Sequence, residues 1–146
     1  MISVSETPFD PGALLSSFCQ GRAEVGAVAS FTGLARAEAG ATSVLELEAY
    51  PGFTEKEIAA MARAAAARFG LQDVTVIHRH GRIAAGEAIV LVLTASTHRR
   101  AAFEACDFLM DYLKSRAPFW KKEHGPDGAR WIEPRPQDHA DVARWE

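Results

Sequence analysis

With 146 residues, 48% hydrophobic and 24% charged, the chain is long enough to bury a proper core and has the composition of an ordinary soluble globular protein, read as one domain over residues 1–146. A formal net charge of −3 excludes the broad basic field of a general nucleic-acid binder, so any anionic ligand must be met by a local pocket. No apolar run approaches the ~20 residues of a membrane span, and the opening MISVSETPFD has neither the basic flank nor the apolar core of a secretory signal.

The first predicted helix lies in FDPGALLSSFCQG, where Asp10 caps, Pro11 suits the first helical position, Phe9 and Leu14 staple the entry and Gly21 ends it. Two strand-like runs follow, 26–33 (GAVASFTG) and 43–50 (SVLELEAY), flanking the loop LARAEAGAT. In the second run Leu45, Leu47 and Ala49 alternate against Glu46 and Glu48. The second helix is announced by a capping box, Thr54 with Glu57, a staple of Phe53 and Ile58, and a stop at Gly70. Its apolar face is Ile58, Met61, Ala62, Ala65 and Phe69.

Strands at 74–80 and 87–96 are separated only by GRIAAG, a connection suited to antiparallel neighbours. The latter is apolar on both faces and reads as central. The third helix runs from about Thr97 to Ala117, where Pro118 excludes further helix. Its buried stripe is Ala102, Phe103, Cys106, Leu109, Met110 and Leu113. A short run at 129–133 follows, and the tail from Pro134 is polar until Trp145, loose or ordered only by a partner. With a strand ahead of the first helix, the order β-α-β-β-α-β-β-α-β predicts an α+β fold with three main helices on one face of a mainly antiparallel sheet.

Three stretches could carry chemistry. In THRRAAFEAC, His98, Arg99 and Arg100 enter the opening turn of a helix, where cations oppose the macrodipole by ~0.3–1 kcal/mol each. A bound anion would remove that conflict; pairing with Glu104 or Asp107 one turn along is the alternative. In LKSRAPFWKKEH, five basic side chains surround a proline bend beside Phe119 and Trp120. Aromatics that exclude water from an ammonium lower a lysine pKa and prepare it for proton exchange. The plainer reading is that Lys114 pairs with Asp107 or Asp111 on the surface. In FTGLAR, Arg36 enters a loop of small residues where it could clamp a phosphate or carboxylate.

Cys19 and Cys106 lie far apart in no metal-like spacing and read as core residues of a reducing cytoplasm. His78 and His80 share a strand face without a third ligand, so neither a metal site nor another cofactor is expected. There is no Gly-rich phosphate loop and no G-x-S-x-G elbow.

FTGLAR, LELEAYPGFTEKEI, VTVIHRHGRIAAGE, TASTHRRAAFEACDFLMDYLKSRAPFWKKE and ARWIEPR resemble, in order and spacing, the large catalytic subunits of molybdopterin synthases. The resemblance spans about Pro8 to Trp145 and is most specific from His98 to Glu123. One departure is Leu34-Ala35 ahead of Arg36, where a lysine and a valine are familiar, which removes a cation from the implied pocket. The resemblance implies an α/β-hammerhead-like fold and a cytoplasmic enzyme that adds two sulfurs to cyclic pyranopterin monophosphate, yielding molybdopterin. It implies as sulfur donor a small ubiquitin-like subunit ending in a Gly-Gly thiocarboxylate, and a homodimer of large subunits with one small subunit at each outer end.

Carried over by position, the resemblance makes Lys114 and Lys121 catalytic. Leu34, Ala35 and Arg36, with His98 and Arg99, match substrate-binding positions; Lys122 and Glu123 complete the other wall, and Arg135 is offered across the dimer. The chain ends Arg144-Trp145-Glu146 without Gly-Gly, so it reads as acceptor of the tail rather than donor. Two other readings compete: a non-catalytic module binding a phosphorylated ligand, and a dimerisation subunit whose lysines only pair with acids.

Overall fold

A computed structural model describes residues 1–36 and 44–146. In chain order the elements are β1 (Ile2–Ser5), α1 (Pro11–Cys19), β2 (Ala27–Leu34), β3 (Val44–Ala49), α2 (Phe53–Phe69), β4 (Asp73–Arg79), β5 (Gly81–Ala84), β6 (Ala88–Ser96), α3 (Arg99–Ser115), β7 (Phe119–Gly125), β8 (Gly128–Ile132) and α4 (Pro136–Ala143). Most of the loop LARAEAGAT, and Ser43 at the head of its following strand, lie outside the described residues.

The α+β class and antiparallel character hold, but the strands form two four-stranded sheets, ordered β1-β4-β6-β2 and β5-β3-β7-β8, instead of one. Among the described residues the single parallel pair is β1 with β4. The β4 and β6 strands are antiparallel neighbours as expected. Their connection is not a simple turn, because β5 within it crosses to the second sheet and pairs with β3. The β2 and β3 strands likewise part, one into each sheet.

Helices cover both faces of the first sheet, not one. Val76, Val90 and Val92 share a core with Ile58 and Ala65 of α2 and Ala102, Leu109 and Leu113 of α3. The alternate residues Ile77, Leu91, Leu93 and Ala95 face the other way, onto Phe18, Phe9, Leu14 and Leu15 around α1. This two-sided burial explains why β6 shows no polar alternation; each buried Leu or Val contributes ~1.5–3 kcal/mol.

The helix ends are partly as expected. The Asp10 carboxylate accepts from the Ala13 backbone N–H at 3.2 Å with Pro11 in the first turn, and Gly70 closes α2 in the left-handed region at φ 64°. The capping box at Thr54 does not form. Gly52 caps α2, and Thr54 is buried inside the first turn, accepting from Tyr50 N–H at 2.8 Å and donating to Pro118 C=O at 3.0 Å. Phe103 is 65% exposed, and Ala105 and Phe108 take its expected place in the core beside Ala102 and Cys106. The tail is ordered by the chain itself: Val142 of α4 is fully buried, and Trp145 sets its ring edge-on to Phe69 and Phe108 at 5.8 and 5.6 Å. Cys19 is exposed, contrary to its core reading, whereas Cys106 is buried.

A cationic cavity between the two sheets

Four backbone devices bring distant residues to one cavity of about 590 Å³. The first is the end of β2. Its register against β6 shifts between Gly33 and Leu34, and a Cβ at Gly33 would lie 2.7 Å from Val90 Cγ1, so only glycine fits there. Beyond the shift Ala35 is buried, with its N–H on Glu87 C=O at 2.8 Å and its C=O on Gly86 N–H at 2.6 Å. This anchor delivers Leu34, Ala35 and Arg36 to the cavity wall.

The second device is the end of α3. Lys114 stands in its last turn, where a cation complements the helix dipole. The expected surface pairing does not occur, because Asp107 and Asp111 are both held by Arg144 at 2.7 Å. Lys114 turns into the cavity instead. Its side chain is solvent-accessible, yet that surface opens inside the cavity among crowded protein atoms. Burial foremost, then the charge of Lys121, lowers its pKa, with Arg135 adding to the fall and Asp138 opposing it.

The third device is the bend at Pro118, locked by Thr54, from which β7 departs as a strand. Strand alternation then sorts neighbouring side chains. Phe119, Lys121 and Glu123 face the cavity with Leu45 and Leu47 of β3. Lys122 does not, a correction to its expected place in the wall. It lies on the opposite face, 5.1 Å from the ring centre of Trp131, beside Trp120, with those indoles 53% and 55% exposed.

The fourth device is α4. Its carboxylate Asp138 is buried and accepts from the Arg135 backbone N–H at 3.0 Å and from its guanidinium at 3.1 Å. Burial alone would raise the Asp138 pKa, but those two bonds and the charges of Arg135 and Lys114 hold it below the carboxylate range. Arg135 thereby lines the cavity of its own chain, so it need not be offered across a dimer.

Five cations (Arg36, Lys114, Lys121, Arg130, Arg135) and three carboxylates (Glu123, Glu133, Asp138) line the cavity, a surplus of two positive charges in an acidic protein. Two of those acids are already engaged, Glu123 by Arg130 at 3.6 Å and Asp138 by Arg135. The cavity is equipped to take an anion through several charge-assisted contacts, next to an apolar wall formed by Leu45, Leu47, Ile89 and Leu113.

Comparison with known proteins agrees with this arrangement. The family described as "MoaE protein" matches residues 4–116. The chain belongs to the MoaE protein family. Over 146 residues it is 64% identical to the molybdopterin synthase catalytic subunit of Caulobacter vibrioides, covering 100% of this chain and 97% of that protein. The solved MoaE protein of Burkholderia ambifaria MC40-6 superposes with a TM-score of 0.85 at 42% identity, covering 99% of this chain and 97% of that one. A complex of subunits 1 and 2 of molybdopterin-converting factor from Helicobacter pylori 26695 shares the fold, at TM-score 0.77 and 19% identity over 92% and 91% of the two chains.

For a MoaE protein the positions of His98 and Arg99 are telling. His98 caps α3 and Arg99 opens it, so ~24 Å of helix separates them from Lys114 at the other end. Neither lines the cavity. Both are exposed, and among the described residues Arg99 and Arg100 make no ion pair, so the alternative of pairing with Glu104 or Asp107 is absent.

Reading the sequence by charge and aromatic content missed other residues of the wall, among them Arg130, Glu133, Asp138 and His78. His78 is buried and stacks on Phe119 with ring centres 4.2 Å apart. Its Nδ1 lies 2.8 Å from Arg79 C=O. Its pKa is lowered to about 4 by burial first and by the charges of Lys114 and His80, against the pull of the Arg79 bond. The available signal was strand alternation, which sets His78 on the same face as Val76, toward α3.

Proposed function

We propose that this chain is the catalytic subunit of a molybdopterin synthase, moving two sulfurs from the thiocarboxylated C-terminus of a small ubiquitin-like subunit onto cyclic pyranopterin monophosphate. The observation that carries this reading is the convergence of Arg36, Lys114, Lys121 and Arg135 on one cavity, with no acid paired to Lys114 among the described residues. The names borne by close relatives support it. Arg36 and Arg135 are suited to the substrate phosphate, since guanidinium groups hold phosphate oxygens in pairs. Lys121 polarises the thiocarboxylate or assists proton transfer, and Lys114 stabilises negative charge that develops during the transfer. Its lowered pKa also leaves Lys114 able to exchange a proton.

Sulfur comes from outside the chain on this reading. Cys106 is inert, its thiol pushed up to about 11 by burial and by the charge of Asp107. A homodimer accounts for His98 and Arg99: a second copy would lend the start of its α3 to the cavity and complete the phosphate contacts. The enzyme works as one domain in the cytoplasm, in keeping with the lack of any helix long and apolar enough to cross a membrane among the described residues.

The deciding experiment mixes the purified chain with a thiocarboxylated small subunit and cyclic pterin and assays the dithiolene. Product formation by the native chain and its near-complete loss in Lys121→Ala are the expected results. Pterin binding without any turnover by the native chain would make it a binding module instead.

A further inference from the structure

Arg79 follows His78 on β4, but strand alternation turns it away from the cavity, and it is not among the residues of the wall. It is 5% exposed, an unusual place for a guanidinium. Its ionic partner is the half-buried Glu87, whose carboxylate lies 3.2 Å from it. A longer contact reaches Arg82 C=O at 3.5 Å, and the Arg79 Nε meets no partner among the described residues. Well-packed apolar side chains are often as stable as a buried ion pair, or more so. Packing therefore gives no reason for an arginine here.

The contacts of Glu87 do give one. Its other carboxylate oxygen accepts from Ala84 N–H at 2.8 Å and so closes the turn between β5 and β6. That bond first, and the Arg79 guanidinium next, hold the Glu87 carboxyl below its usual range. From the same turn Glu87 C=O accepts from Ala35 N–H at 2.8 Å, and Gly86 N–H donates to Ala35 C=O at 2.6 Å. Both backbone groups of Ala35 are thus held by a turn that Arg79 braces from behind the wall, and Arg36 is the next residue.

We propose, building on the reading in which Arg36 meets the substrate phosphate, that Arg79 and Glu87 are positioning residues of Arg36. Their ion pair fixes the 84–87 turn, the turn fixes Ala35, and Ala35 sets where the Arg36 guanidinium stands. Every link is a contact made in the structure, and neither side chain of the pair lines the cavity.

Two backgrounds separate positioning from packing. Arg79→Met removes the buried charge and leaves Glu87 to solvent. In the isolated variant the Ala35 and Gly86 amides should exchange about tenfold faster or more, while amides of the β4–β6 ladder keep native rates. Pterin affinity by calorimetry should fall about 3- to 10-fold, no further than in Arg36→Ala, with kcat at saturating pterin near native. In the Arg36→Ala background the same change should cost no further affinity, because the group it positions is gone. Arg79→Lys, whose ammonium keeps one charged contact with Glu87, should restore most of the loss. Native exchange or native affinity in Arg79→Met overturns the proposal. So does a loss that multiplies with that of Arg36→Ala, the mark of a merely structural role. Should Arg79→Met fail to fold, Glu87→Gln takes its place with the same outcomes, since its amide still accepts from Ala84 N–H but offers Arg79 no charge. The exchange measurement needs neither partner nor pterin. A native chain that binds no pterin refutes the function, and the exchange rates alone then decide the clamp.

Discussion

Lys114 and Lys121 share a cavity but not an origin, and their substitutions should report this. Lys121 is delivered by a strand and replaceable in shape, so Lys121→Ala should leave fold and assembly intact by circular dichroism and gel filtration while product formation nearly vanishes. Lys121→Arg should also be poor: it keeps the charge, but a guanidinium does not readily release a proton. A normal rate in either variant would end the catalytic assignment. Arg36→Ala and Arg99→Ala should act chiefly on pterin affinity, each losing about tenfold or more of binding read by calorimetry, as expected for one charge-assisted contact of ~1.5–3 kcal/mol. His78 adds a pH dependence. Its folded pKa of about 4 lies below the ordinary 6.5, so the stability tied to its neutral state is whole above pH 6.5 and is lost as pH falls toward 4. Replacing it with glutamine should flatten the unfolding free energy read by urea denaturation across that window relative to the native chain, by a difference on the order of 3 kcal/mol at its lower end. Asp138 and Asp73, also held low, weaken the fold in the same direction at more acid pH and are common to both proteins.

At the scale of elements, Thr54 is the joint between the start of α2 and the strand that carries Lys121. It ties the start of α2 to Pro118, the residue after which β7 leads Lys121 into the cavity. Thr54→Val keeps the volume and abandons two part-buried backbone groups, Tyr50 N–H and Pro118 C=O. Urea denaturation should show a loss of about 1–3 kcal/mol, the cost of unpaired buried polar groups, with kcat falling as Lys121 loses its register. The same residue marks where sequence patterns stop being informative. Thr54 and Glu57 have the spacing of a capping box, but the chain enters α2 through Gly52 at φ 79°, a turn with no local signature of that strength. The run FWKKEHG did not read as a strand because its charged residues hide the alternation. Missing β7 left Lys121 and Lys122 both in the pocket, although alternation allows only one of them into the cavity. The α4 helix escaped for a related reason: its fixed points are one valine and one carboxylate, too few to show a period. By contrast α1, α2, α3 and β6, whose apolar positions are many and regular, were legible almost to their ends.

At the scale of the molecule, the cation cluster read from sequence divides in two. Arg36, Lys114, Lys121 and Arg135 meet within one chain, whereas His98 and Arg99 lie a helix length away on its surface. No sequence pattern states which residues distant in the chain meet in one cavity, and that is why this division was invisible before the structure. If the α3 start of one chain completes the cavity of its partner, each site of a homodimer takes Lys121 from one copy and Arg99 from the other. Assayed at pterin well below saturation, where the affinity loss of Arg99→Ala shows as lost rate, Lys121→Ala and Arg99→Ala homodimers would then each have two damaged sites. A mixed dimer concentrates both lesions in one site and leaves the other native. Unfolding and refolding the two variants together should therefore restore about a quarter of native activity, because half of randomly paired dimers are mixed and each has one of two sites intact. Activity no higher than the mean of the separate variants would place Arg99 outside its neighbour's site. The outcome also bears on the exposed guanidinium groups at the start of α3, which make no ion pair among the described residues and stand at the positive end of a helix dipole. Complementation would mean that the arrangement is tolerated there because the anion it attracts is bound in the neighbouring chain's cavity.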